Sequence, residues 1–73
     1  MKLSDGAVGK SYSVKNIDLS LKVKRRLEIL GMTGNASVDV LNSKKSGTKI
    51  IKVRGTRFAL GKSFAEGIEV EEI

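Results

Sequence analysis

From Ala36 to Leu41 apolar and polar residues alternate, with Ala36, Val38 and Val40 on one face and Ser37 and Asp39 on the other. That is the period of a half-buried β-strand. Residues Lys49 to Arg54 repeat it, with Ile51 and Val53 inward and Lys52 and Arg54 outward. The polar stretch Asn42-Ser43-Lys44-Lys45-Ser46-Gly47 between them reads as a hairpin loop. Upstream, Lys10 to Ile17 carries Tyr12 and Val14 on one face. Ile17 breaks the alternation, which predicts a bulge or a turn there. Downstream, a tight turn at Gly55-Thr56 leads into Arg57 to Leu60, where Phe58 and Leu60 share a face. Residues 61–67 are bounded by glycines and read as a single turn burying Ala65 or Phe64. Ile68 to Glu71 then closes the set, Ile68 and Val70 in, Glu69 and Glu71 out. Met1 to Gly9 reads as a lead-in whose Leu3 and Val8 tuck against the core.

The period changes once. After Ser20, an N-cap residue type, Val23, Leu27 and Leu30 fall at i, i+4 and i+7 and make one helical stripe. Gly31 stands where a left-handed C′ residue ends a helix, and Met32 at C″ is placed to cover Leu27. Five short strands with one short helix after the first predict a mainly β fold, a single domain over residues 1–73. A meander this small leaves open edges unless it curls, so a partly open β-barrel plugged by the helix is expected.

Composition narrows the chemistry. The 73 residues include no cysteine, histidine or proline. No disulfide framework and no zinc site of the usual ligand types can therefore be proposed. No apolar run reaches the roughly 18 residues of a spanning helix, and Met1 to Gly6 has no apolar segment of a signal peptide. A cytoplasmic protein without membrane insertion is expected. Fourteen Lys/Arg against eight Asp/Glu give a formal charge of +6. The first 62 residues hold all fourteen bases and only Asp5, Asp18, Glu28 and Asp39, whereas residues 63–73 hold four acids and no base. A basic body with an acidic last strand points to an acidic partner, a nucleic acid or anionic headgroups.

The stretch Arg25-Arg26-Leu27-Glu28-Ile29-Leu30-Gly31-Met32-Thr33, followed by a glycine and the strand Ser37 to Leu41, resembles the FeoA-like family of ferrous iron transport accessory proteins. Phe58-Ala59-Leu60 and the spacing Ala65, Ile68, Val70 extend the resemblance over nearly the whole chain. It implies an SH3-like barrel, no catalysis, and a partner of the FeoB type, a membrane iron transporter with a GTP-binding domain. It also marks Arg26, Leu27, Leu30, Gly31, Ala65, Ile68 and Val70 as family-motif residues of structural weight. The chain departs from the family pattern at Gly34-Asn35, where relatives commonly carry Pro-Gly. It departs again at Ser43 to Ser46, where relatives often carry a proline-containing apolar segment.

The candidate contact residues are Leu21, Lys22, Lys24, Arg25, Ile29 and Met32. Leu21 and Ile29 lie off the Val23/Leu27/Leu30 stripe, so they are either covered by the lead-in or the neighbourhood of Met32, or left exposed beside a basic patch as a docking surface. Glu28 is spaced to pair Lys24 or Arg25, and Arg26 is placed to pack its stem and bond backbone at the barrel mouth. The alternative is a basic barrel that binds nucleic acid through Lys44, Lys45, Lys49, Lys52, Arg54 and Arg57. Aromatics to interleave with those bases are scarce, only Tyr12, Phe58 and Phe64, so no nucleic acid is expected. Glu66, Glu69, Glu71 and Glu72 read as a solvated strand edge; no metal and no cofactor is expected. No histidine base, phosphate loop or buried carboxylate pair is present, so no enzyme is expected.

Overall fold

Every inward position of the alternating stretches except Phe58 is buried in one core. The computed structural model describes all 73 residues. Strands β1 (Ser11–Ile17), β2 (Ser37–Ser43), β3 (Lys49–Val53), β4 (Thr56–Leu60) and β5 (Ile68–Glu72) form one antiparallel sheet in the order β4-β3-β2-β1-β5. The sheet does not close, so β4 and β5 are its two edges. Helix α1 (Leu21–Ile29) follows β1, and the one-turn helix α2 (Lys62–Glu66) joins the two edge strands. The core holds Leu3, Tyr12, Val14, Ile17, Val38, Val40, Ile51, Val53, Leu60, Ala65, Ile68 and Val70, closed over by Leu27, Met32 and Ala36. This is the partly open, mainly β barrel that the alternation predicts.

The irregularity of β1 falls earlier than Ile17. The register against β5 shifts between Val14 and Asn16, so Lys15 is the extra residue. The bulge rotates the strand enough that Val14 and Ile17, three apart, both reach the core. A second shift, between Val40 and Asn42, leaves Leu41 exposed. The β3–β4 turn is one residue earlier than expected. Arg54 and Gly55 occupy it, with φ of 49° and 84°, because a two-residue hairpin turn that follows the strand twist needs both central residues left-handed. Within residues 61–67, Ala65 is buried and Phe64 is exposed.

Leu3 is fully buried, but Val8 is 54% exposed. The lead-in makes a 3-10 turn over Leu3–Asp5 and then a tight turn closed by the Lys10 N–H donating to the Ala7 carbonyl. Val8 sits in that turn and points to solvent. Lys49 is also unlike its sequence reading. It is 7% exposed, and its Nζ donates to the Gly6 carbonyl and to Ser43 Oγ, each at 3.0 Å. The ammonium thereby ties the lead-in to the β2–β3 hairpin, and it is satisfied where burial demands it.

Helix α1 starts and stops as its residue types require. The Val23 N–H donates to Ser20 Oγ. At the other end the Met32 N–H donates to the Leu27 carbonyl and the Gly31 N–H to the Glu28 carbonyl, both at 3.0 Å, which is the Schellman arrangement. Gly31 has φ of +104°, and a Cβ there would lie 2.9 Å from Arg54 Cδ. In the following turn, closed by the Ala36 N–H donating to the Thr33 carbonyl, Asn35 takes φ of 65°. Asparagine tolerates this conformation better than other side chains, so Gly34-Asn35 makes the turn without the family's Pro-Gly.

Candidate docking surface

Advancing by roughly 100° per residue, α1 sorts its side chains into three sectors. Val23, Leu27 and Leu30 face the barrel, with Leu27 buried and the other two half-buried. Lys24 and Glu28 lie on the flank toward β1, lining a concavity with Val14, Lys15, Asn16, Ile17, Met32 and Gly34. Leu21, Lys22, Arg25, Arg26 and Ile29 occupy the outer sector and frame one shallow, open depression. Leu21 is 61% and Ile29 86% exposed, so the lead-in does not cover them.

The structure thus brings together four of the six candidate contact residues, Leu21, Lys22, Arg25 and Ile29. It buries Met32 and places Lys24 beside this group rather than in it. Met32 has no exposed surface because the Schellman turn folds it under Leu27 into the core. Lys24 is half-buried on the β1 flank, one turn on from Leu21 and on the far side of it from Ile29. Of the family-motif residues, Leu27, Ala65, Ile68 and Val70 are core, Leu30 is the half-buried helix cap and Gly31 is the stop. Arg26 is exposed and sits at the lip between the outer sector and the barrel.

The backbone contact expected of Arg26 is made by Arg54. Its Nε donates to the Gly31 carbonyl at 3.1 Å and its Nη2 to Thr33 Oγ1 at 3.3 Å. A guanidinium beside the C-terminal end of a helix meets the negative end of the helix dipole. The bonds also hold Arg54 in a left-handed conformation that otherwise costs about 1–2 kcal/mol. The sequence signals only Gly55 as a turn residue; nothing in it marks Arg54 as left-handed or as a partner of Gly31 and Thr33.

Charge is distributed unevenly. The three ion pairs all spend an acid of β5: Met1 N to Glu69 Oε1 at 2.8 Å, Lys10 Nζ to Glu72 Oε1 at 2.9 Å, and Lys15 Nζ to Glu71 Oε2 at 3.6 Å. The hydrogen bond and charge of Glu72 raise the Lys10 pKa above its ordinary 10.5. Glu28 pairs with neither Lys24 nor Arg25, and Lys22, Arg25 and Arg26 have no acidic partner. The acidic strand therefore neutralises the β1 side and leaves α1 positive. No group of three or more carboxylates converges in a way that could hold a metal ion. No helix is long and apolar enough to cross a membrane.

Inside the helix, a groove of about 260 Å³ separates α1 from β4 and α2, lined by Val23, Leu27, Leu30, Phe58, Leu60 and Phe64 with Arg26 at its rim.

The whole of this arrangement, from Met1 to Glu72, matches the family model described as the FeoA domain. The chain belongs to the FeoA family. Its members are accessory proteins of ferrous iron transport. A crystal structure of an iron uptake regulatory protein, FeoA, is 34% identical, with a TM-score of 0.90, over 100% of this chain and 97% of that one. The solution structure of FeoA from Chlorobium tepidum is 30% identical, with a TM-score of 0.93, over 100% of this chain and 70% of that one. FeoA from Stenotrophomonas maltophilia, solved with zinc and described as a prokaryotic SH3 domain protein, is 30% identical with a TM-score of 0.81, over 97% of this chain and 89% of that one. Among curated protein sequences none matches.

Proposed function

We propose that the protein is a non-catalytic, cytoplasmic accessory of ferrous iron uptake that docks on the GTP-binding side of a FeoB-type membrane transporter. The contact runs through Leu21, Lys22, Arg25 and Ile29. The observation that carries this reading is the outer sector of α1, where two aliphatic side chains the fold does not need flank bases that no acid of the chain neutralises. Apolar side chains exposed beside unpaired charge suit a partner surface that supplies apolar contact and acids, the charges speeding encounter. The nucleic-acid alternative is weakened residue by residue. Lys49 is buried, Arg54 is committed to Gly31 and Thr33, and Tyr12 is in the core.

The test is a binding titration of the protein against the isolated GTP-binding region of the transporter. Ile29→Asp with Arg25→Glu is expected to weaken binding at least tenfold while leaving the thermal midpoint unchanged. Undiminished binding of the double variant would reject this face. Nuclease-sensitive recovery of RNA in place of the transporter would favour the alternative.

A further inference from the structure

The two edges of the sheet differ in what covers them, and β4 is the uncovered one. Lys2 bridges to Glu69 on β5, and the Val70 N–H donates to the Met1 carbonyl at 2.7 Å, so the first residues occupy the outer side of β5. Nothing pairs with the outer side of β4. An unpaired strand edge is a template for another strand.

Charge on the solvent face states what that strand should carry. Across the sheet, Ser11 faces Asp39, Asp39 faces Lys52, and Lys52 faces Arg57, which is the last residue of the row. Ser11 Oγ donates to Asp39 Oδ1 at 2.6 Å, and neither Lys52 nor Arg57 forms an ion pair. Two like charges opposite one another oppose strand pairing. They stand at the open edge, where one more residue in the row would lie beside Arg57.

The next row gives the second requirement. Ile51 faces Phe58, and Lys49 faces Leu60 two residues on. Phe58 and Leu60 point inward and line the apolar groove beneath α1. A strand added outside β4 would set alternate side chains over the mouth of that groove, where Phe64 is already exposed.

We propose that β4 receives an extended segment of a partner protein that runs parallel to it, of pattern acid–apolar–x–apolar from its N-terminal end. Its acid lies beside Arg57, and its two apolar residues lie beside Phe58 and Leu60 over the α1–β4 groove. Backbone hydrogen bonds to β4 hold the segment, and the Lys52/Arg57 pair selects its charge. The proposal does not rest on docking at Ile29. It concerns the opposite wall of α1, and its readout is made on the isolated protein.

The experiment is an amide NMR titration with a blocked peptide, Gly-Glu-Val-Ser-Val-Gly, and two controls. One control carries Lys for Glu; the other is N-methylated at alternate amides. Shifts confined to residues 56–60 and the inner side of α1 are expected, with at least fivefold weaker binding of both controls. Arg57→Glu, an exposed change that leaves the core intact, should invert the preference so that the Lys peptide binds better. Equal binding of the Lys or N-methylated peptide would overturn the proposal, as would shifts centred on Leu21 and Ile29 or none at millimolar peptide. Concentration-dependent β4 shifts without peptide would assign the edge to a second copy of this chain and also overturn it.

Discussion

The β5 edge and the β4 edge belong to one sheet and are protected to different degrees. On the β5 side the backbone is covered by Met1 and Lys2, and the outward glutamates each meet a base. Charge and coverage are two ways in which strand edges avoid unwanted pairing. On the β4 side the backbone is bare, bases face bases, and the side chains beneath the edge enclose a groove rather than packing flush. A domain of this size has little core to spare. Half-burying Val23, Leu30 and Phe58 therefore forgoes stability on the α1–β4 side.

The contrast can be broken most severely through Leu27, where α1 closes over the core. Leu27→Asp buries an unpaired carboxylate, costing about 4 kcal/mol or more. A domain of this length has roughly 4–11 kcal/mol in total. The variant should lose its cooperative thermal transition in circular dichroism. Next in size, Ile68→Ala on the closed side should cost about 2–5 kcal/mol in urea unfolding, and Phe58→Ala on the groove side only about 1–2 kcal/mol. Equal losses would mean that the groove is packed as tightly as the rest.

Smaller effects sharpen the electrostatic half of the comparison. Arg57→Glu replaces a like-charge cross-strand pair by an attractive one and should stabilise by about 0.2–1 kcal/mol at low salt, a gain that fades as salt is added. Smallest is the Lys10–Glu72 pair. Because the folded state raises the Lys10 pKa, its contribution is fully present below the ordinary 10.5 and is lost as pH climbs through the raised folded value. Lys10→Met should unfold slightly earlier than the parent at neutral pH and match it at strongly alkaline pH, as followed by denaturant midpoints across that range.

Much of the fold was legible because period 2 and period 3.6 occupy different stretches and each ends in a recognisable turn residue. Ser20, Gly31 and the Ala36/Val38/Val40 face act as their types dictate. Local period could not show where a bulge restores it, so Ile17 pointed to an irregularity that lies at Lys15. Nor could it show Lys49 inward, since a buried lysine needs partners, and the Gly6 carbonyl that joins Ser43 across the hairpin is distant in sequence and brought close only by folding. In the candidate surface, helical spacing separated Leu21 and Ile29 from the core stripe. It could not separate Lys24 from Arg25, because which flank meets β1 depends on how the helix is docked. Met32 failed as a contact for the reason it succeeded as a cap: the C″ side chain of a Schellman turn folds inward.

Arg54 joins two parts of the molecule that would otherwise move separately. Its backbone belongs to the turn that begins β4, and its guanidinium grips the carbonyl just past α1 and the Thr33 hydroxyl. The end of the helix near Ile29 and the start of the bare edge strand are thereby coupled like two arms on one pivot. A partner that tilts α1 must either break this grip or carry the hairpin along, so while the grip holds, the two walls of the groove shift as one.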